Sequence, residues 1–117
     1  MEIINVSGTV FDISDNAFTV NYGKADVSAI GDTVIQAAVA NKRIRVLGLY
    51  ARSALAVTLS FKSNATKISA DLSVGINDDF VLPISPHGWF QTNVGEELRA
   101  NQSGAVATGV IFVWIAI

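Results

Sequence analysis

The sequence contains no cysteine, a single histidine (His87) and only two prolines. Without cysteine there is no disulfide framework, no thiol nucleophile and no thiolate-bound metal. One histidine also excludes a metal site built from several imidazoles. Charged residues make up only 15% of the chain, whereas typical domains contain ~25%. Half of the residues are hydrophobic, which excludes intrinsic disorder and leaves one compact domain of 117 residues.

The charge and the apolar runs of the sequence argue against two kinds of partner, nucleic acids and membranes. The formal net charge is −2, so the chain lacks the basic footprint that nucleic-acid binding requires. The first residues carry neither the basic region nor the long apolar stretch of a signal peptide. The apolar stretch near the end is interrupted at residues 101–104 and is shorter than the ~20 residues of a membrane-spanning helix. We therefore expect no membrane partner.

Catalytic signatures are missing as well. The sequence has no Gly-x-Ser-x-Gly motif. Residues 104–109 have the glycine spacing of a phosphate-binding loop, but Val110 follows where the loop needs lysine. The acidic pairs Asp78–Asp79 and Glu96–Glu97 lack the spacing of a calcium-binding loop. We assign no catalytic residue, no cofactor and no metal, and we do not expect an enzyme. A small hydrolase that uses His87 stays open only as a third hypothesis.

Strand-like alternation recurs along the chain. In residues 55–62, apolar Leu55, Val57, Leu59 and Phe61 alternate with small or polar residues, which is typical of a strand with one buried face. Similar runs are separated by turn signals about every ten residues, the spacing of β-sandwiches and barrels. The sequence therefore predicts an all-β protein, an antiparallel β-sandwich or jelly-roll-like fold of about eight strands.

The start of the chain predicts a hairpin or arm. Residues 9–13 and 17–22 flank a polar turn at 14–16. We place the boundary near Gly31, with an N-terminal arm or hairpin over 1–31 and the sandwich domain over 32–117. Residues 32–40 fit a two-turn helix or a strand. We favour a strand that pairs with the next strand through a turn at 40–42.

The last strand is the most informative feature because neither of its faces is polar. One face carries Val110, Phe112, Trp114 and Ala116, and the other carries Ile111, Val113, Ile115 and Ile117. A small antiparallel sandwich usually exposes one face of each strand to water. We expect one face to fill the core and the other to contact a sister subunit. Alternatively, another strand or the N-terminal arm of the same chain covers it. The candidate oligomer-interface residues are Val110, Phe112, Trp114, Ile111, Val113 and Ile115.

A second group of residues predicts contacts with a partner. Arg43 and Arg45 share one face of a strand and could pair with carboxylates of a neighbouring subunit or partner. Trp89 and Phe90 are adjacent, so they point to opposite faces and cannot both lie in the core. Either pair could also be structural, with the arginines solvated and the second aromatic side chain in a subunit contact. His87 is interpreted as a solvated loop residue.

Several segments resemble small β-sandwich structural proteins of tailed bacteriophages and prophages. These segments are residues 38–46, 57–63, 82–83, 88–92, 95–98 and 109–113. The resemblance covers about three quarters of the chain, from about Asp32 to the end, and leaves out the first thirty residues.

The resemblance implies a role on the virion. The specific expectation is a capsid decoration (cement) protein, made in the bacterial host cytoplasm and located on the capsid surface. Its partners would be copies of itself, as a homotrimer, and the major capsid protein or another virion protein. The alternative is a receptor- or carbohydrate-binding module of a fibre or tail tip.

Overall fold

The computed structural model describes residues 9–11 and 17–117, and these residues form twelve strands. No helix that could cross a membrane occurs among them. The strands are β1 (Thr9–Phe11), β2 (Ala17–Thr19), β3 (Asn21–Val27), β4 (Gly31–Gln36), β5 (Ile44–Ser53), β6 (Val57–Ser63), β7 (Thr66–Lys67), β8 (Leu72–Val74), β9 (Asp79–Leu82), β10 (Phe90–Gln91), β11 (Leu98–Gln102) and β12 (Thr108–Ala116).

Two five-stranded antiparallel sheets pack as a sandwich. One, here called the β12 sheet, has β12 between β3 and β5, and both β9 and β10 pair with β5. The other, the β11 sheet, has β11 between β4 and β6, with β7 and β8 paired to β6. The predicted all-β antiparallel sandwich is confirmed. The described part has more than the predicted eight strands, because several of them, such as β7, β8 and β10, span only two or three residues.

The core lies between the two sheets and is built from every second residue of the long strands. Leu59 and Phe61 of β6 and Phe112 of β12 are at most 1% exposed. Phe112 lies against Gly23 of β3, where any side chain would collide with the phenyl ring. The alternation that predicted these strands therefore also selects the residues that fill the core.

The N-terminal hairpin is confirmed for its two strands. β1 and β2 pair antiparallel, with Thr9 opposite Thr19 and Phe11 opposite Ala17. The predicted turn at 14–16 lies outside the described residues. β3 follows β2 closely and pairs with β12 over seven residues. The division of the chain at residue 31 stays a prediction, although the β12 sheet already includes β3.

Residues 31–36 form strand β4, so the preference for a strand over a helix is confirmed. The predicted pairing of this strand with the next one is wrong, because β4 pairs with β11 and β5 belongs to the β12 sheet. Residues 37–43 carry the chain from one sheet to the other through a turn in which Lys42 N donates to Val39 O at 3.1 Å. This crossing allows Ile35 and Ile44 to enter one core from opposite sheets.

Candidate functional site: the outer face of the β12 sheet

Strand β12 has two faces with different surroundings. On the inner face, Val110 and Phe112 are 1% exposed and Trp114 is 8% exposed, all within the core of the chain itself. Because a partner cannot reach these three side chains in the folded chain, the predicted subunit contact concerns only the opposite, outer face.

One end of the outer face is covered by the same chain. Ile115 is 1% exposed and Leu47 is fully buried, and they form a second apolar cluster. The partly buried residues that pack on this cluster are Phe18, Val20, Val113 and Ile117. Leu47 faces outward because the register of β5 against β12 shifts between Val113 and Trp114, as in a β-bulge. The alternative that the N-terminal segment covers this face is therefore confirmed for this end.

Within the described part of the chain, the other end of the outer face is open. Ile111 is 54% exposed although it lies in the middle strand of the sheet. Its neighbours across the sheet are Lys24 on β3 and Tyr50 on β5, and Tyr50 in turn lies opposite Val81 of β9. An apolar groove of about 250 Å³ runs along this row. The apolar groove is defined by Tyr22, Gly48, Tyr50, Val81, Ile84, Ile111 and Val113.

Charged residues border the open end. A second hollow of about 370 Å³ next to Ile111 is lined by Lys24, Asp26 and Arg52, among others. The Tyr50 hydroxyl donates to Asp79 Oδ1 at 2.6 Å, and Arg52 Nη1 lies 3.7 Å from the same oxygen. The hydrogen bond to Asp79 raises the pKa of the Tyr50 phenol, so Tyr50 stays a protonated donor. The border carries two cations and two anions, so it favours neither a positively nor a negatively charged ligand.

The structure separates Trp89 from Phe90, as expected of adjacent residues. Phe90 packs against the core and stacks on Phe61, with ring centroids 4.9 Å apart. Trp89 is 45% exposed, and its indole Nε1 donates to Pro83 O at 2.7 Å. Trp89 is therefore the member of the pair that a partner could contact.

Arg43 and Arg45 flank the buried residue Ile44 and are both half-buried. Arg43 Nη1 lies 3.5 Å from Thr92 O, and Arg45 Nε donates to Gln91 Oε1 at 3.1 Å. Both acceptors are neutral, so neither arginine has its charge compensated by a described carboxylate. His87 is exposed in the turn between β9 and β10.

The sequence prediction missed most of the apolar groove. Tyr22, Tyr50, Val81 and Ile84 come from different strands or loops, and only the sheet pairing brings them to Ile111. The one available signal was the outward position of Ile111 on a two-sided apolar strand. Among residues 9–11 and 17–117, no group of three or more His, Asp or Glu residues is placed to hold a metal ion.

Comparison with protein-family models, curated proteins and solved structures found no match. The function is therefore argued from the geometry and chemistry of the outer face.

Proposed function

We propose that this chain is a structural protein of a tailed-bacteriophage or prophage virion, and specifically a capsid decoration protein. It performs no catalysis. Copies associate as a homotrimer through the apolar groove and bind the assembled shell, where they cross-link its subunits. The observation that carries the proposal is Ile111, which lies in the middle of a sheet and is 54% exposed.

The position of Ile111 supports association with another chain. An exposed apolar side chain at a sheet edge or loop is common, but here Val81 and Ile84 extend the apolar surface across the sheet. The described N-terminal residues cover only the Ile115 end. A layer from another molecule would shelter the rest.

The charges around the groove favour a second copy of the chain as that molecule. Lys24, Asp26, Arg52 and Asp79 give this border no net charge. Identical surfaces that turn towards a shared axis therefore meet without net repulsion, and a cation of one copy can approach an anion of the next.

The strength of this association follows from the area involved. Full burial of one large apolar side chain contributes ~1.5–3 kcal/mol, so Ile111, Val81 and Ile84, already about half-buried, contribute about 1 kcal/mol each. Their sum is about 3 kcal/mol for one copy, and the neighbouring copy also buries apolar surface in the same contact, so the total reaches the lowest estimates of the cost of association, about 4 kcal/mol. Self-association in solution is therefore expected to be weak and concentration-dependent, and to strengthen where copies sit side by side on a shell.

Binding only to the assembled shell gives the chain its function. A protein that binds the closed shell but not its dissociated subunits stabilises the shell by mass action. No chemical step is needed for this role.

Light scattering after size-exclusion chromatography over a range of concentrations tests the proposal. The wild-type chain should shift from monomer towards trimer as concentration rises, whereas Ile111→Lys should remain monomeric. Ile30→Lys is the matched control, since Ile30 is 66% exposed in the loop between β3 and β4. A wild-type chain that stays monomeric and does not bind shells assembled from the capsid protein of its own genome would overturn the proposal.

A second candidate function is a receptor- or carbohydrate-binding module of a fibre or tail tip. The observation that favours it is Trp89, whose ring is 45% exposed while its Nε1 is held by Pro83 O. A held, exposed indole can stack on a sugar ring. Glycan-array binding that Trp89→Ala abolishes would support this function. An array without binding would remove it.

A further inference from the structure

The basic residues divide into two groups by their partners. Arg52, Lys62, Lys67 and Arg99 form ion pairs with described acidic residues. The other four, which form none with the described acidic residues, are Lys24, Lys42, Arg43 and Arg45. Three of these four lie together where β5 begins, and this group (Lys42, Arg43 and Arg45) is called the cationic end. We propose that the cationic end docks on a carboxylate-rich surface of the shell protein.

The two arginines of the cationic end keep most of their hydrogen-bonding capacity. Arg43 uses Nη1 on Thr92 O, and Arg45 uses Nε on Gln91 Oε1. A guanidinium has five N–H donors in a planar fork, so each arginine retains several donors and its full charge. A carboxylate is the acceptor whose geometry matches that fork in a bidentate pair.

The backbone beneath the cationic end is firmly held. Arg43 exchanges two backbone hydrogen bonds with Ile117, at 2.8 and 3.0 Å. Thr92 is fully buried, and its Oγ1 accepts a hydrogen bond from Ile44 N at 2.9 Å. Lys42 O accepts a hydrogen bond from Gly95 N at 2.8 Å. The charged groups therefore project from a fixed platform, which lowers the entropy lost on binding.

The stem of Arg45 is also positioned by its neighbours. Gly88 lies against it with a φ of 79°, and any side chain at Gly88 would collide with Cγ and Cδ of Arg45. The guanidinium is thus supported from one side by the turn before β10 and from the other by Gln91. This support is pre-organisation for a partner, beyond what a solvated arginine needs.

The nearby acidic residues are already engaged. Glu96 accepts hydrogen bonds from Ser63 Oγ at 2.7 Å and Asn93 Nδ2 at 3.0 Å, which lower its pKa. Glu97 lies 3.1 Å from Arg99 Nη2. The charge of the cationic end is therefore available to an external carboxylate. A nucleic acid is a poorer partner because a net charge of −2 repels it and three cations neutralise few phosphates.

This inference rests on the proposed function for the identity of the partner, but it concerns a separate surface. Tyr50 of the apolar groove lies five residues along β5 from Arg45, a distance of about 16 Å at ~3.3 Å per residue. A copy docked on the shell through the cationic end can therefore still contact its neighbours through the groove.

The test is an NMR titration of the labelled protein with poly-L-glutamate at low salt. We expect amide shift changes confined to residues 42–45 and 91–92, and their loss as salt is raised. The double substitution Arg43→Glu with Arg45→Glu should weaken binding about tenfold or more. Arg43→Gln with Arg45→Gln should weaken it less, since it removes the charge without reversing it.

Lys24→Glu is the control for charge, because it reverses one cation of β3, as each of the two arginine substitutions does, and Lys24 forms no ion pair with the described acidic residues. Equal weakening in this control, shift changes spread over the surface, or no binding by the wild type would overturn the inference. Tighter binding of duplex DNA than of poly-L-glutamate would overturn it as well. Light scattering on the double variant separates the two proposals, since trimer formation through the groove should be unchanged.

Discussion

The two outer faces of the sandwich have the same architecture but different chemistry. On the β11 sheet, Asp32 accepts hydrogen bonds from Lys62 Nζ at 2.9 Å, Asn101 Nδ2 at 2.6 Å and Arg99 Nη1 at 3.4 Å. Arg99 also donates to Asn64 and Glu97. On the β12 sheet, the open end exposes the apolar side chains of Ile111, Val81 and Ile84.

This difference indicates which outer face has its side chains paired within one chain and which outer face does not. On the β11 sheet, Asp32 and its three donors satisfy one another and face water at little cost, although Val34 of the same face is a half-exposed apolar residue. At the open end of the β12 sheet, the aliphatic side chains of Ile111, Val81 and Ile84 cannot form such bonds, and water hydrates them poorly. We therefore interpret the outer face of the β11 sheet as solvent-exposed, and we place the association of copies on the outer face of the β12 sheet.

The largest expected effect separates the covered end of the β12 face from the open end. Ile115→Ala should lower the free energy of unfolding by about 2–4 kcal/mol, because it leaves a cavity beneath the N-terminal segment. Ile111→Ala should lower it by less than about 1 kcal/mol, because this side chain is half exposed in the single chain. Chemical denaturation of both variants at low protein concentration measures the difference in the free energy of unfolding. Equal losses would contradict the conclusion that N-terminal residues cover Ile115 but not Ile111.

Breaking the polar network on the β11 face should have the next largest effect. Asp32→Ala removes the acceptor shared by Lys62 and Arg99, and we expect a loss of about 1–2 kcal/mol. Lys67→Ala is the control, since it removes an exposed pair with Asp71 and should change stability by less than about 0.5 kcal/mol. If the two variants lose the same free energy of unfolding, the network around Asp32 contributes no more stability than an isolated ion pair.

Acid should destabilise the folded chain by protonating carboxylates on the β11 side of the sandwich. Hydrogen bonds from Asn101 and Lys62 hold the pKa of Asp32 below its ordinary 3.8. Those from Ser63 and Asn93 hold the pKa of Glu96 below 4.5. A lowered folded-state pKa gives stability that is present above the ordinary pKa and lost as the pH falls through the folded value. The free energy of unfolding should therefore decline below pH 4.5, and Asp32→Asn should flatten that decline in a pH series of denaturation curves.

The smallest expected effect on stability comes from one substitution made on each face. Val34→Lys on β4 and Ile111→Lys on β12 both place a lysine at a half-exposed outward position. Each should lower the free energy of unfolding by less than about 1 kcal/mol, because each new lysine lies opposite a cation, Arg99 or Lys24. Only Ile111→Lys should abolish self-association in light scattering. Loss of self-association in Val34→Lys would place the contact between copies on the β11 sheet and contradict the proposal.

Much of the fold could be predicted from the sequence, because strand alternation and turn residues act over short distances. The hairpin of β1 and β2, the strand at β4 and the inward face of β12 follow from such patterns. The pairing of β4 could not be predicted, since a tight hairpin and a crossing between sheets need similar connecting residues. The apolar groove was missed because its residues are distant in sequence.

By itself, the sequence determined that this chain is an all-β sandwich and that its last strand is apolar on both sides. It also predicted that Trp89 and Phe90 diverge, because adjacent side chains of an extended segment point to opposite sides. Only the tertiary structure decided that Phe18 and Val20 cover Ile115, whereas Ile111 stays exposed among the described residues. The physical reason is that the cover over a strand's outer face comes from segments remote in the chain, which local patterns do not encode.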